Sequence, residues 1–164
     1  LRLTGMFPDE YILKFILDDV KIEFFCANRP IQKELLKQIE FTTYDNSRLK
    51  ILDLKQIAKL KVIAFFQRDK IRDLFDFGEI LENKIVSFED ILQISKELKN
   101  ISSQEQLIKF ILDKKEEKDD ENVYLDEQSR IDLSFLEIKK AVLKKIEKIG
   151  NQNAKPNNPL QPIL

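Results

Sequence analysis

The stretch Asp53 to Glu82, DLKQIAKLKVIAFFQRDKIRDLFDFGEILE, limits what this chain can fold into. Its apolar residues recur at helical spacing, which predicts two consecutive helices, about Asp53 to Gln67 and about Lys70 to Glu82. Asp53 suits an N-cap, and Ile57, Leu60 and Ala64 follow it in period. At about 100° per residue, Lys55, Gln56, Lys59 and Gln67 gather on one solvated face. Lys61 and Arg68 point away from that face, flanked by Leu54, Ile57, Ala64 and Phe65. Two cations therefore stand in an apolar stripe.

The second helix repeats the anomaly with the opposite sign. Leu74, Phe77, Ile80 and Leu81 form its stripe, Asp73 projects into it, and Asp76 lies on its edge. Glu79 and Glu82 face water. A charge in an apolar stripe costs several kcal/mol unless it is paired. Lys61 and Arg68 are therefore expected to pair with Asp73 and Asp76 across the two helices. Such a cluster either fixes how the helices cross or holds phosphate or a metal-bound ligand beside them. The pattern leaves both open.

The run Ile57, Ala58, Lys61, Ala64, Arg68, Arg72, Asp73 and Asp76 resembles the C-terminal signature of the AbiEii/AbiGii toxin-family nucleotidyltransferases. The hairpin and helix before it resemble the later part of that family's catalytic core. The resemblance spans roughly residues 10 to 100. It implies transfer of a nucleotide from a nucleoside triphosphate to a hydroxyl acceptor, with Mg²⁺ and the triphosphate as cofactors. It also implies roles: Lys61, Asp73 and Glu23 catalytic, Glu23 a metal ligand, and Arg68, Arg72 and Asp76 on the nucleotide. In this scheme Lys61 neutralises phosphate charge, and Asp73 orients Lys61 or acts on the acceptor. The family's other signature, a Gly-Ser or Gly-Gly pair followed by D-x-D on a strand, is absent from this chain. One carboxylate is a poor Mg²⁺ site, so the expectation is either that the catalytic half lies on sequence not present here or that this is a truncated family member, weakly active or inactive alone. The alternative is a non-catalytic helical interaction or scaffold protein derived from the family.

Composition narrows the remaining classes. With 28 basic and 29 acidic residues the net charge is −1, which gives no broad pull on nucleic acid or anionic membrane. An RNA acceptor or an antitoxin-like protein are the expected macromolecular partners, and a membrane is not. No histidine is present, which removes His-ligated zinc and Ser-His-Asp triads. The single cysteine, Cys26, cannot form an internal disulfide and fits the cytoplasm. The chain opens on Leu1, as expected of a fragment or a rare start codon. No P-loop, G-x-G-x-x-G or C-x-x-C occurs.

An α+β, helix-dominated fold is expected, a small hairpin sheet followed by a helical bundle. Residues 1–10 read as an entry loop. Tyr11 to Ala27 reads as a hairpin turning at Asp18-Asp19. Glu23 lies on its second strand, and its plain structural reading is a pair with Lys21 or Lys14. Pro30 to Ile39 is a short amphipathic helix with Ile31, Leu35 and Ile39 on one face. Phe41 to Leu52 is extended with a turn at Asp45-Asn46-Ser47. Ser87 to Asp90 reads as a capping box opening a helix to about Lys99. Another helix starts near Ser102 or Ser103, its apolar positions Leu107, Ile108, Ile111 and Leu112. Asp113 to Glu121 reads as a solvated charge run. Asp132 is expected to cap a last helix, Leu133 to Ile149, with Leu136, Val142, Leu143, Ile146 and Ile149 inward and Gly150 as its stop. The expected domains are 1–52, a partial nucleotidyltransferase-like core; 53–150, helical; and 151–164, a disordered tail.

Overall fold

The computed structural model describes residues 2–3, 12–17, 20–25, 30–37, 42–43, 45, 47–48, 50–116, 124–125, 130–131 and 133–153. The chain divides into two compact units, Leu1–Glu40 and Phe41–Leu164.

The first unit holds an antiparallel sheet and one helix. Strands β1 (Arg2–Leu3), β2 (Ile12–Leu17) and β3 (Val20–Phe25) lie in the order β1-β2-β3. Helix α1 is Pro30–Lys37, with proline at its first position, where a missing N–H costs no helical bond. Runs of Ile, Leu, Val and Phe favour the strands, and β2 pairs with β3 from Ile12↔Phe25 to Leu17↔Val20. The hairpin is the one expected, while its turn residues 18–19 lie outside the described residues. The entry segment contributes β1, which was not expected: Leu3 pairs with Phe15 and Arg2 with Ile16, so β2 is the central strand.

Among the described residues the second unit is helical apart from two short hairpins. One joins β4 (Thr42–Thr43) to β5 (Lys50–Ile51), as expected for the Phe41–Leu52 segment. The other joins β6 (Tyr124–Leu125) to β7 (Arg130–Ile131). The helices are α2 (Leu54–Gln67), α3 (Ile71–Glu82), α4 (Phe88–Lys99), α5 (Gln104–Asp113) and α6 (Phe135–Asn153). Helix α3 packs on α2 and α6, α2 also packs on α4, and α5 packs on α6. The fold is therefore α+β and helix-dominated.

Local capping chemistry sets most helix starts. Asp53 accepts from the Gln56 amide at 2.7 Å while the Gln56 side chain accepts from the Asp53 amide at 3.2 Å, a complete capping box. Ser87 and Ser103 accept from the amides of Asp90 and Gln106. The Asp90 carboxylate does not turn back to close its expected box; it faces Lys59 at 3.1 Å and Lys55 at 3.7 Å on α2. Helix α6 starts at Phe135 with Ser134 as its cap, and the expected cap Asp132 lies outside the described residues. The Ser134 hydroxyl accepts from the Glu137 amide at 3.3 Å, and the Ser134 amide donates to Glu137 Oε2 at 2.9 Å.

The core gathers around Phe65, Phe66, Phe77 and Phe110. Phe65 stacks on Phe77 with ring centroids 4.1 Å apart and planes 4° off parallel. Phe110 meets Phe65 edge-on at 5.9 Å and Phe66 at 5.4 Å. Several expected faces shift. On α2 the buried residues are Ala58, Val62, Ile63, Phe65 and Phe66, whereas Leu54 and Ile57 are exposed. Of the stripe assigned to Lys61 and Arg68 with Leu54, Ile57, Ala64 and Phe65, only Phe65 is buried, while Leu54, Ile57, Lys61 and Arg68 are exposed; Lys59, assigned to water, faces α4. The helix is apolar nearly all round from Val62 to Phe66, so burial is decided by which neighbours cover it. For the same reason Leu112 and Leu136 are exposed, while Ile138 joins Val142 and Ile146 inside.

Gly150 does not stop α6, which continues to Asn153. A Cβ there would overlap the Gln104 side chain, whose amide reaches the Ile146 carbonyl at 3.2 Å. The glycine admits α5, and its backbone stays right-handed. Residues 154–164, the rest of the expected tail, lie outside the described residues.

Candidate functional site

The expected ion cluster forms where α2 turns into α3. Arg68 is the C-cap of α2, in extended backbone, and Lys70 is the N-cap of α3. A single residue, Asp69, therefore separates the two helices' caps. It folds Arg68 back over the first turn of α3, where Asp73 stands at the third helical position. Arg68 Nε donates to Asp73 Oδ2 at 2.5 Å and Nη2 donates to Oδ1 at 2.8 Å. This two-point fork is the strong form of an ion pair. Asp73 is 4% exposed and the Arg68 side chain 49%. The carboxylate also lies in the positive first turn of its helix, which favours its charge.

One turn along α3, the Asp76 carboxylate accepts from Lys61 Nζ. The Lys61 side chain is 50% exposed. The cross-helix pairing thus occurs with settled partners: Lys61 with Asp76, and Arg68 with Asp73. Two details of the sequence reading change. Lys61 is not buried, and Asp73 orients Arg68 rather than Lys61. Arg72 stands exposed on the first turn of α3.

The charge run after α5 hides a residue that sequence reasoning missed. Lys114 is not solvated; its side chain is 5% exposed. Its Nζ donates to Asp69 Oδ1 at 2.6 Å and to the Arg68 carbonyl at 3.1 Å. Its charge lies 4.7 Å from the Phe65 ring centre and 4.9 Å from that of Phe110. Neighbouring Lys115 and Glu116 are exposed as expected, and 117–121 lie outside the described residues. The only signal in the sequence is position, three residues beyond Ile111, where the apolar repeat of Leu107, Phe110 and Ile111 continues. Behind it, Lys139 Nζ donates to the carbonyls of Leu112 at 2.5 Å and Lys114 at 2.8 Å.

Glu23, the expected metal ligand, belongs to the first unit. It stands on β3 directly opposite Lys14 in the strand register, the partner its plain structural reading names. Its side-chain contacts lie outside the described residues. Among the described residues no three Cys, Asp or Glu groups converge to hold a metal ion. Asp73 and Asp76 each accept from a cation, and Mg²⁺ asks for several oxygens in near-octahedral array. The described residues do not fit that ion.

A second basic group lies between α3 and α6. Lys145 Nζ donates to the Gly78 carbonyl at 3.1 Å and sits near Glu79 and Glu82 at 3.4 and 3.7 Å. Gly78 instead admits Val142 of α6, since a Cβ there would stand 3.0 Å from the Val142 side chain. Glu79 and Glu82, expected to face water, are half-exposed and serve this lysine. Among the described residues no helix is long and apolar enough to cross a membrane.

No curated protein and no solved structure matches the chain. A family model does, over residues 2–148, and its description is nucleotidyl transferase AbiEii toxin, type IV toxin–antitoxin system. The match takes in both units and the whole Lys61–Asp76, Arg68–Asp73 cluster, well beyond the span the signature residues suggested. The chain belongs to the AbiEii nucleotidyltransferase toxin family.

Proposed function

We propose that this chain takes part in moving a nucleotide from a nucleoside triphosphate to a hydroxyl acceptor, and that its helical unit holds the phosphates. One observation carries the reading. Lys61 and Arg68 each have a carboxylate to fix them and about half of the side chain left in solvent. A cation oriented in this way is prepared for a phosphate oxygen, because little side-chain freedom remains to be lost on binding. Asp76 and Asp73 then serve as positioning acids. Arg72, exposed on the same turn of α3, adds a third basic group for the nucleotide.

This chain alone transfers nucleotides slowly in this reading, because it has no D-x-D pair. Loss of one electrostatic stabiliser typically costs about 10²–10³ in rate. The family's description, a toxin of a toxin–antitoxin system, supports an antitoxin partner; in this reading the acceptor is an RNA hydroxyl and the chain works in the cytoplasm.

The test has two parts. Isothermal titration of the purified chain with a nucleoside triphosphate should show binding that Lys61→Gln weakens while thermal stability stays nearly unchanged. Incubation with Mg²⁺, labelled triphosphates and an RNA pool should give no robust labelling. Absence of binding would remove the phosphate role and leave a helical interaction protein. That second reading is favoured by one observation, the consumption of Asp73 and Asp76 by structural partners.

A further inference from the structure

We propose that Lys114 is a positioning residue that aims Arg68. The inference rests on the phosphate role given to Arg68 above. A buried lysine is a costly way to fill space, since apolar residues of similar size are often as stable as a buried ion pair. The cation at 114 therefore calls for a reason beyond packing, and its contacts supply one. Its oxygen partners among the described residues both belong to the turn between α2 and α3: the Arg68 carbonyl at 3.1 Å and Asp69 Oδ1 at 2.6 Å.

Arg68 is consequently held at every point of its backbone. Its N–H donates to the Ala64 carbonyl at 3.1 Å, and its carbonyl accepts from Lys114. With both backbone groups committed, the side chain leaves the turn in one direction, and that direction meets Asp73 in the two-point fork. Lys114 is itself anchored. Its amide donates to the Ile111 carbonyl at 3.2 Å, its carbonyl accepts from Lys139, and its charge sits beside the Phe65 and Phe110 rings. The end of α5 thus holds the turn that carries Arg68. Lys114 touches no ligand in this account; it acts through Arg68.

The test follows the Arg68 side chain directly. In the folded chain the Arg68 Hε proton, held by Asp73, should exchange slowly with water by NMR. Lys114→Met keeps the stem between the rings and removes the charge. It should speed Hε exchange at least tenfold and weaken inorganic tripolyphosphate binding about tenfold, the scale of one lost charge-assisted hydrogen bond. Lys114→Arg should restore much of both. Adding Lys114→Met to Arg68→Gln should weaken binding no further. Wild-type Hε protection and affinity in Lys114→Met would overturn the proposal, as would additive losses in the double variant. Should Lys114→Met not fold, Asp69→Asn loosens the same anchor from its exposed end, with the same readouts. If Arg68→Gln binds tripolyphosphate as the wild type does, the phosphate role of Arg68 fails. The exchange measurement still decides whether Lys114 aims it.

Discussion

Arg68 and Asp73 share two hydrogen bonds across the turn from α2 to α3, yet only Asp73 is buried. The inequality sets the cost of breaking the pair. Without Asp73, Arg68 can hydrate; without Arg68, a carboxylate is stranded where water is scarce. Arg68→Met should therefore destabilise by about 3 kcal/mol and Asp73→Leu by less, with the double substitution recovering much of the loss. Urea denaturation of the four proteins checks this, and equal single losses that simply add would contradict it.

Lys61 gives the contrasting case. It pairs with Asp76, with half of its side chain in solvent. Such pairs contribute about 0–1 kcal/mol. Lys61→Met should cost no more than that, and a cycle of Lys61→Met with Asp73→Leu should show coupling below about 0.5 kcal/mol. A large coupling in the denaturation data would mean that these two groups meet after all.

Asp69 is 56% exposed at its side chain but carries a buried partner. Its removal leaves the Lys114 ammonium with one carbonyl and two ring faces. Asp69→Ala should cost about 2 kcal/mol, far above the usual effect of an exposed aspartate. A melting curve indistinguishable from wild type would count against the anchor.

Lys84 ends α3 in left-handed backbone, with φ 50°. The amide of Ile85 donates to the Ile80 carbonyl at 3.2 Å and that of Lys84 to Leu81 at 3.3 Å, a Schellman arrangement whose central residue is usually glycine. Lys84→Gly should stabilise by about 0.5–1 kcal/mol, because the left-handed backbone strains a residue with a Cβ. Calorimetry should show a higher Tm, whereas an unchanged or lower Tm would mean that the lysine side chain contributes as much as its backbone strain costs.

The Ser134 cap makes a pH prediction. Hydrogen bonds from the Ser134 side chain and then its amide hold the Glu137 carboxyl below the ordinary glutamate range. A depressed folded value means that the ionised form stabilises the fold above the unfolded value, and that this contribution is lost as pH falls through the folded one. Ser134→Ala should raise the Glu137 value towards the ordinary range in an NMR titration. It should also lower Tm at neutral pH by more than at pH below that range.

Helix starts were legible in the sequence because a cap is chemistry among residues three apart. Asp53, Ser87 and Ser103 need no knowledge of the rest of the chain. Ser134 and Glu137 carry the same signature, and the choice of Asp132 passed over a nearer cap. Asp73 was legible for a related reason: a carboxylate in an otherwise apolar repeat must be paired, whatever surrounds it. Which cation pairs with it was not. The stripe on α2 admitted both Lys61 and Arg68, and the short turn between the helices decided for Arg68. The inner face of α2 was equally undetermined, since Val62 to Phe66 are apolar on every side and only the positions of α3 and α4 bury one arc and leave Leu54 in water. Lys114 lay furthest from reach. Its partners are 45 and 46 residues away, in a turn that meets the end of α5 only after the helices pack. Sequence alone determined where the helices capped by Asp53, Ser87 and Ser103 begin and that a charge cluster must exist; packing over long separations decided which charges meet and which one is buried.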